Sequence, residues 1–293
     1  MRSTSRASNV TMWFESRSSF ARICAMSLLP PTNKNDFDMN VNPSCCFYIP
    51  VFPAHEHSFK WGEPGVVFVL RDSHPAIHNT IVEAQSIHIL GAGLNPDRPA
   101  HRAIHDLDDR GWRLVPIHPN DAGGSILGRP IRPNIEHGTV PEVVVFFLAP
   151  ERAKTAVMEL MVRFPLVEIP LLWFQPGSEH EDVLEMLNEA NVTHIVDDCI
   201  VRFAQRHHLN AANPEQHKQW YLQRASSEGD GCSVWEVHER DSFVTSPPES
   251  LEWCGDFIDL MTSTHTIPKY IRSLSPSNES LEDTAIRLAG NAT

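Results

Sequence analysis

Residues 142–147 read Glu-Val-Val-Val-Phe-Phe, an acid followed by five apolar side chains with no polar alternation. Such a run is too short for a helix of ordinary length and suits a strand covered on both faces, which is the habit of parallel sheets packed between helices. The flanking sequence supplies the rest of that architecture. Ala76–Ala84 reads as a short helix, and Ser86–Leu90 as an apolar strand ending at Gly91. Ala100–Asp109 places Ala103, Ile104 and Leu107 on one helical face, with Gly111 as the C-cap, and Trp112–Ile117 is a second strand. Beyond residue 147, Glu151–Arg163 is a helix with Ala156, Leu160 and Met161 inward, and Ile169–Phe174 is a strand. Glu181–Ala190 is a further helix, and His194–Val196 leads into a last strand ending near Cys199. Strands alternating with helices imply right-handed crossovers. The expected fold is therefore α/β, a Rossmann-like doubly wound parallel five-stranded sheet with irregular N- and C-terminal extensions. Its ligand is expected at the carboxyl ends of the strands.

The boundaries follow from where that rhythm starts and stops. Residues 1–74 read as an N-terminal extension, largely disordered, with a possible hairpin from Phe47–Phe52 and Val66–Leu70. Residues 75–212 form the domain, and residues 213–293 read as a loosely ordered tail packing on it through Trp220, Trp235 and Trp253, with one helix at Leu281–Leu288. The 23 prolines agree with irregular ends of this kind. The first 35 residues carry Arg2, Arg6, Arg17 and Arg22 against the single acid Glu15. That is the composition of a mitochondrial transit peptide or of a disordered leader, so the expected compartment is the cytoplasm, with the mitochondrion as the alternative. A formal net charge of −13 argues against a general nucleic-acid binder. No apolar run is long enough to span a bilayer. The six cysteines form no Cys-x-x-Cys pair and read as reduced thiols of a soluble intracellular protein.

The chemistry concentrates in Gly91-Ala92-Gly93-Leu94-Asn95-Pro96-Asp97-Arg98-Pro99. Two glycines at the end of a first parallel strand let backbone approach a phosphate, and the next helix offers free amides at its positive end. The same pair also serves an ordinary tight turn. The dinucleotide fingerprint requires a third glycine where Pro96 stands. It also requires an acid at the end of the second strand, where the sequence reads His118-Pro119-Asn120. Arg98 brings a guanidinium fork suited to phosphate. Nicotinamide binding is disfavoured on these grounds, and a different pyrophosphate is favoured.

Residues 91–128 strongly resemble the small bacterial CoA-binding proteins, single Rossmann domains related to the amino-terminal domain of the succinyl-CoA synthetase alpha subunit. The resemblance rests on Gly91, on Asn95-Pro96-Asp97-Arg98-Pro99, and on Pro116-Ile117-His118-Pro119. It continues in Trp173-Phe174-Gln175-Pro176-Gly177 and Asp198-Cys199-Ile200, covering about residues 76–210. It implies coenzyme A or acyl-CoA as cofactor, with Gly91, Ala92, Gly93, Asn95, Arg98 and Pro99 holding the phosphates. His118 and Pro119 would border the adenosine, Phe147 and Leu148 would line the cleft, and Gln175 and Cys199 would close it. Three positions depart from the family pattern: Ala100-His101 replaces a serine, His118 an asparagine, and Asp198 an arginine. Each puts ligand choice or affinity in doubt.

Other constellations carry less. His101 and His105 have metal-ligand spacing but no third ligand. His55/His57, His74/His78 and His207-His208 read as solvated. Cys199 at a strand end is a nucleophile without an identifiable base, and is better read as structural. No Gly-His-Ala-Gly-like phosphohistidine stretch occurs. No complete catalytic set is present, so the expectation is a non-catalytic CoA-binding module that works with a protein partner such as an acyl-CoA-metabolising enzyme, without nucleic acid or membrane. A subunit of a split acyl-CoA synthetase, a divergent NAD(P)-type oxidoreductase and a degenerate scaffold for protein contact are the alternatives.

Overall fold

The computed structural model describes residues 20–21, 49–50, 75–214, 219–228 and 231–290. Within residues 1–66, Phe20–Ala21 pairs antiparallel with Ile49–Pro50. Val66–Leu70 and nearly all of the arginine-bearing leader lie outside the described residues.

From residue 75 the elements are α1 (Pro75–Glu83), β1 (Ser86–Leu90), α2 (Pro99–Leu107), β2 (Arg113–Ile117), β3 (Ser125–Ile126), β4 (Arg129–Pro130), β5 (Val143–Phe146) and α3 (Pro150–Arg163). They continue as β6 (Leu171–Phe174), α4 (Glu181–Glu189), β7 (His194–Ile195) and α5 (Ile200–Arg206). The five parallel strands are ordered β2-β1-β5-β6-β7. Every residue of β1, β2, β5 and β6 is buried. Alternate residues feed two cores. Ile87, Ile89, Val143, Val145 and Trp173 pack with α1, α2 and α5. Leu90, Val144, Phe146, Leu172 and Phe174 pack with α3 and α4. The apolar strand Val143–Phe146 is thus covered from both sides, as its composition requires. Gly111 ends the first crossover with φ +88°, one 3-10 turn beyond α2. The chain leaves β1 toward β2 and then returns to β5 on the other side of β1. The reversal of strand order therefore falls between β1 and β5, where ligands of such sheets bind.

Two expectations are corrected. The last strand stops at Ile195, and Cys199 instead caps the helix α5. The tail is not loosely ordered. Its strands β8 (Gln219–Ala225), β9 (Ser233–Glu239) and β10 (Leu251–Asp256) form an antiparallel sheet ordered β9-β8-β10, followed by α6 (Phe257–Thr262), α7 (Thr266–Ser273) and α8 (Leu281–Gly290). Period-2 patterning accounts for this. Tyr221, Trp235 and Trp253 share the face under the helices, where Trp235 stacks on Tyr221 at 5.7 Å and on Trp253 at 5.9 Å. Polar residues alternate with them, as in Arg224–Glu236, paired across the strands at 2.8 Å. Only Trp220 belongs to the opposite face, with Leu222 and Cys254.

That second face meets the parallel sheet through buried charge. Arg113 of β2 grips Asp256 with two hydrogen bonds of 2.7 Å and reaches Asp259 at 2.7 Å. Arg132 reaches Asp256 at 2.6 Å and Asp259 at 2.5 Å. The same two carboxylates form the capping box of α6, so the start of that helix and its docking on β2 are one structure. Burial opposes the charge on Asp256, but the two guanidiniums hold its carboxyl far below the usual range. The Cys254 thiol, pushed up to about 12 by burial, donates to the Ile131 carbonyl at 3.2 Å.

Candidate functional site at the carboxyl edge of the parallel sheet

Gly91 leaves β1 with φ +97°, and its amide donates to the Ile117 carbonyl at 2.8 Å. A Cβ there would stand 2.5 Å from the Phe147 carbonyl oxygen. Only glycine fits both the angle and the approach. Ala92 is fully buried, and Gly93 donates back to the Gly91 carbonyl at 3.1 Å. Asn95 shapes the exit: its side-chain oxygen accepts the Asp97 amide at 2.9 Å, and its carbonyl accepts the Arg98 amide at 3.2 Å. Arg98 is the N-cap residue of α2 in extended conformation, and Pro99 opens the helix. The first helical bond runs from the Arg102 amide to the Arg98 carbonyl, so the amides of Ala100 and His101 precede the ladder. No acid lies in that first turn, and the Arg98 side chain is exposed. Free amides and the positive helix end therefore lie together, with an exposed arginine at the N-cap beside them.

The far side of the loop differs from expectation. The sequence places no acid at the tip of β2, yet the 3-10 turn Pro119–Asp121 folds Asp121 back against Gly93. Asp121 Oδ2 accepts the Leu94 amide at 2.8 Å and lies 3.2 Å from His118 Nδ1. On the other side, His101 Nδ1 lies 2.8 Å from the Gly93 carbonyl, which can only accept, so this nitrogen carries the proton. In the neutral ring Nε2 is then bare and accepts from His105 Nε2 at 3.3 Å. The two histidines brace the loop. No group of three metal-ligating side chains occurs among the described residues.

The other strand ends complete the edge. Phe147 and Leu148 follow β5 half-buried, and the Phe147 amide donates to the Leu90 carbonyl at 3.0 Å. Gln175 follows β6 with 6% exposure; its amide donates to the Phe146 carbonyl at 3.2 Å, while its side-chain Nε2 is buried without a partner. Trp173 Nε1 donates to the Asp198 carbonyl at 2.9 Å and so links the last two strand ends. Cys199 is a half-buried free thiol whose amide donates to the Asp198 carboxylate at 2.8 Å. The fold thus gathers Gly91 with Phe147, and Gly93 with His118. No hydrogen bond among the described residues joins Gln175 or Cys199 to the glycine loop. A hollow of about 680 Å³ lies on the α3 side against Leu90, Ile135, Ala156 and Met158, and none of the ligand-holding residues expected from the sequence lines it. Pro119 borders a separate polar hollow of about 390 Å³ with Glu136, His137 and His265.

Five parallel strands, helices on both faces and a glycine loop at the point where strand order reverses define a Rossmann-type doubly wound domain. Residues 85–204 match the family model described as CoA binding domain. The protein YneT of Bacillus subtilis is 26% identical over 129 residues, which are 44% of this chain and 91% of that protein. A solved Thermus thermophilus structure, cell-free ID.343, is 24% identical and covers 47% of this chain and 98% of its own, with a TM-score of 0.41. A hypothetical protein from Pyrococcus horikoshii OT3 is 22% identical, covering 50% of this chain and 97% of its own, also with a TM-score of 0.41.

Proposed function

We propose that residues 75–212 bind coenzyme A or acyl-CoA as a non-catalytic module, holding the diphosphate between the Gly91–Pro99 loop, the first amides of α2 and Arg98. The observation that carries this reading is an exposed arginine at the N-cap of a helix with no acid in its first turn, inside the stretch that matches the CoA binding domain. Charge-assisted bonds to a phosphate are roughly twice as strong as neutral ones, so the loop supplies most of the affinity. His118 and Pro119 border the adenosine, and Phe147 and Leu148 line the cleft. Gln175, whose buried Nε2 donates to nothing within the described residues, offers a hydrogen bond to the ligand, and Cys199 closes the far end. A carrier or sensor of this kind serves an acyl-CoA-metabolising partner. No described helix is long and apolar enough to cross a membrane.

Asp121 favours a second reading, a divergent NAD(P)-type oxidoreductase, because a carboxylate beside the second glycine is placed to accept ribose hydroxyls. Calorimetry with CoA, acetyl-CoA, NAD and NADP separates the two. The first reading expects CoA to bind, and Arg98→Ala to weaken it at least tenfold while the fold is unchanged. Binding of NAD without CoA would overturn it.

A further inference from the structure

The glycine loop already holds an anion of its own. Leu94 presents its amide to the Asp121 carboxylate at 2.8 Å, in the loop where the reading above places a ligand's diphosphate. Gly93 is shaped around that carboxylate, since a Cβ at this position would lie 2.2 Å from Asp121 Oδ2 and 3.0 Å from the His118 ring. The missing side chain therefore makes room for Asp121 itself. Asp121 is lightly tied elsewhere: its ion-pair neighbour is His118 at 3.2 Å, and both side chains are about a quarter exposed, at 26% and 25%. It sits at the end of a single 3-10 turn, so a side-chain rotation releases the Leu94 amide without disturbing β2. The loop keeps its shape when that happens, because His101 holds the Gly93 carbonyl and Asn95 holds the turn into α2.

The geometry points to Asp121 as an internal anion that occupies the glycine loop in place of a ligand phosphate and sets how tightly this chain takes a diphosphate. The inference rests on the reading of the loop as a phosphate site. A carboxylate and a phosphate compete for the same donor, and they repel each other at short range when both are present. Binding therefore requires Asp121 to swing out or to tolerate a like charge. Either way the wild-type affinity lies below what the amides and Arg98 alone would give.

Two variants test this with inorganic pyrophosphate, ADP, CoA and NAD as calorimetric probes. Asp121→Asn keeps an oxygen that can accept the Leu94 amide and removes the charge; Asp121→Ala removes both. Near-ultraviolet circular dichroism checks that each is folded. The expected result is a fall in Kd for pyrophosphate and ADP of at least tenfold in Asp121→Asn, with an equal or larger fall in Asp121→Ala. Unchanged or weaker pyrophosphate binding in Asp121→Asn overturns the proposal. So does an Asp121→Asn variant that loses affinity for ADP or NAD, which would assign the carboxylate to sugar hydroxyls. If pyrophosphate and ADP gain tenfold while CoA binds neither variant, the role of Asp121 stands and the coenzyme A reading falls.

Discussion

Replacing Asp256 by asparagine isolates the charge that fastens the C-terminal sheet to β2. Asp256 accepts two bonds of 2.7 Å from Arg113, one of 2.6 Å from Arg132 and the Asp259 amide at 3.1 Å, and no group in this set is more than 7% exposed. Asparagine caps a helix about as well as aspartate, so the start of α6 is retained. The charge balance is not. Two buried guanidiniums are left with the single carboxylate of Asp259, and breaking a buried pair in this way costs about 3–5 kcal/mol. Against a total stability of roughly 5–15 kcal/mol, the loss is a large share. Urea unfolding followed by circular dichroism reads it as a lower midpoint, with the C-terminal sheet released first. A double change, Arg113→Met with Asp256→Leu, recovers much of the loss by removing both charges. A loss under about 1 kcal/mol with an unchanged slope would refute the reasoning, because the ions would then have to be solvated. The carboxyl titrates far below its ordinary 3.8, so this contribution is full above that pH and fades only in stronger acid.

Two further outcomes follow from single residues. Gly91→Ala forces a side chain into φ +97° and within 2.5 Å of the Phe147 carbonyl oxygen, and is expected to cost at least about 2 kcal/mol in thermal or urea unfolding and to abolish ligand binding. His88 is buried in β1, and its pKa lies well below 6.5 because of burial and the nearby Arg113 and Arg132. The unfolded chain takes up a proton there that the folded chain refuses. Stability is therefore expected to fall by about 1.4 kcal/mol per pH unit below 6.5, until the buried ring titrates. In His88→Leu that part of the slope disappears.

The parallel domain was legible because its strands are apolar on both faces and its helices carry an apolar stripe; the expected Ser86–Leu90 strand matches β1 residue for residue. The C-terminal sheet was obscured because each strand is covered unequally. Gln219–Ala225 mixes tryptophan and tyrosine with arginine and glutamine, and the polar members are satisfied only by neighbours more than ten residues away, such as Glu236 for Arg224. The helix α5 was missed because Asp197, with φ +61°, turns the chain just after β7, and a left-handed aspartate leaves no mark in the hydrophobic pattern. The glycine loop was visible from its residue types. Asp121 was not, since a search for an acid at the strand tip finds His118, and only the three-dimensional path of one short turn carries a later carboxylate back to Gly93.

The placement of the C-terminal elements also governs how copies of this chain can meet. The outer margin of β2 is taken up at its far end by Arg132, whose backbone exchanges bonds of 3.0 Å with Pro116 and His118, and at its near end by the Arg113 clasp with Asp256. A foreign strand therefore meets a backbone already paired at the far end of this margin and a buried side-chain clasp at its near end. The opposite margin is β7, two residues long, too short to anchor a strand-by-strand polymer. Neither rim of this sheet invites growth by strand addition, even though its strands are among the most apolar segments of the sequence.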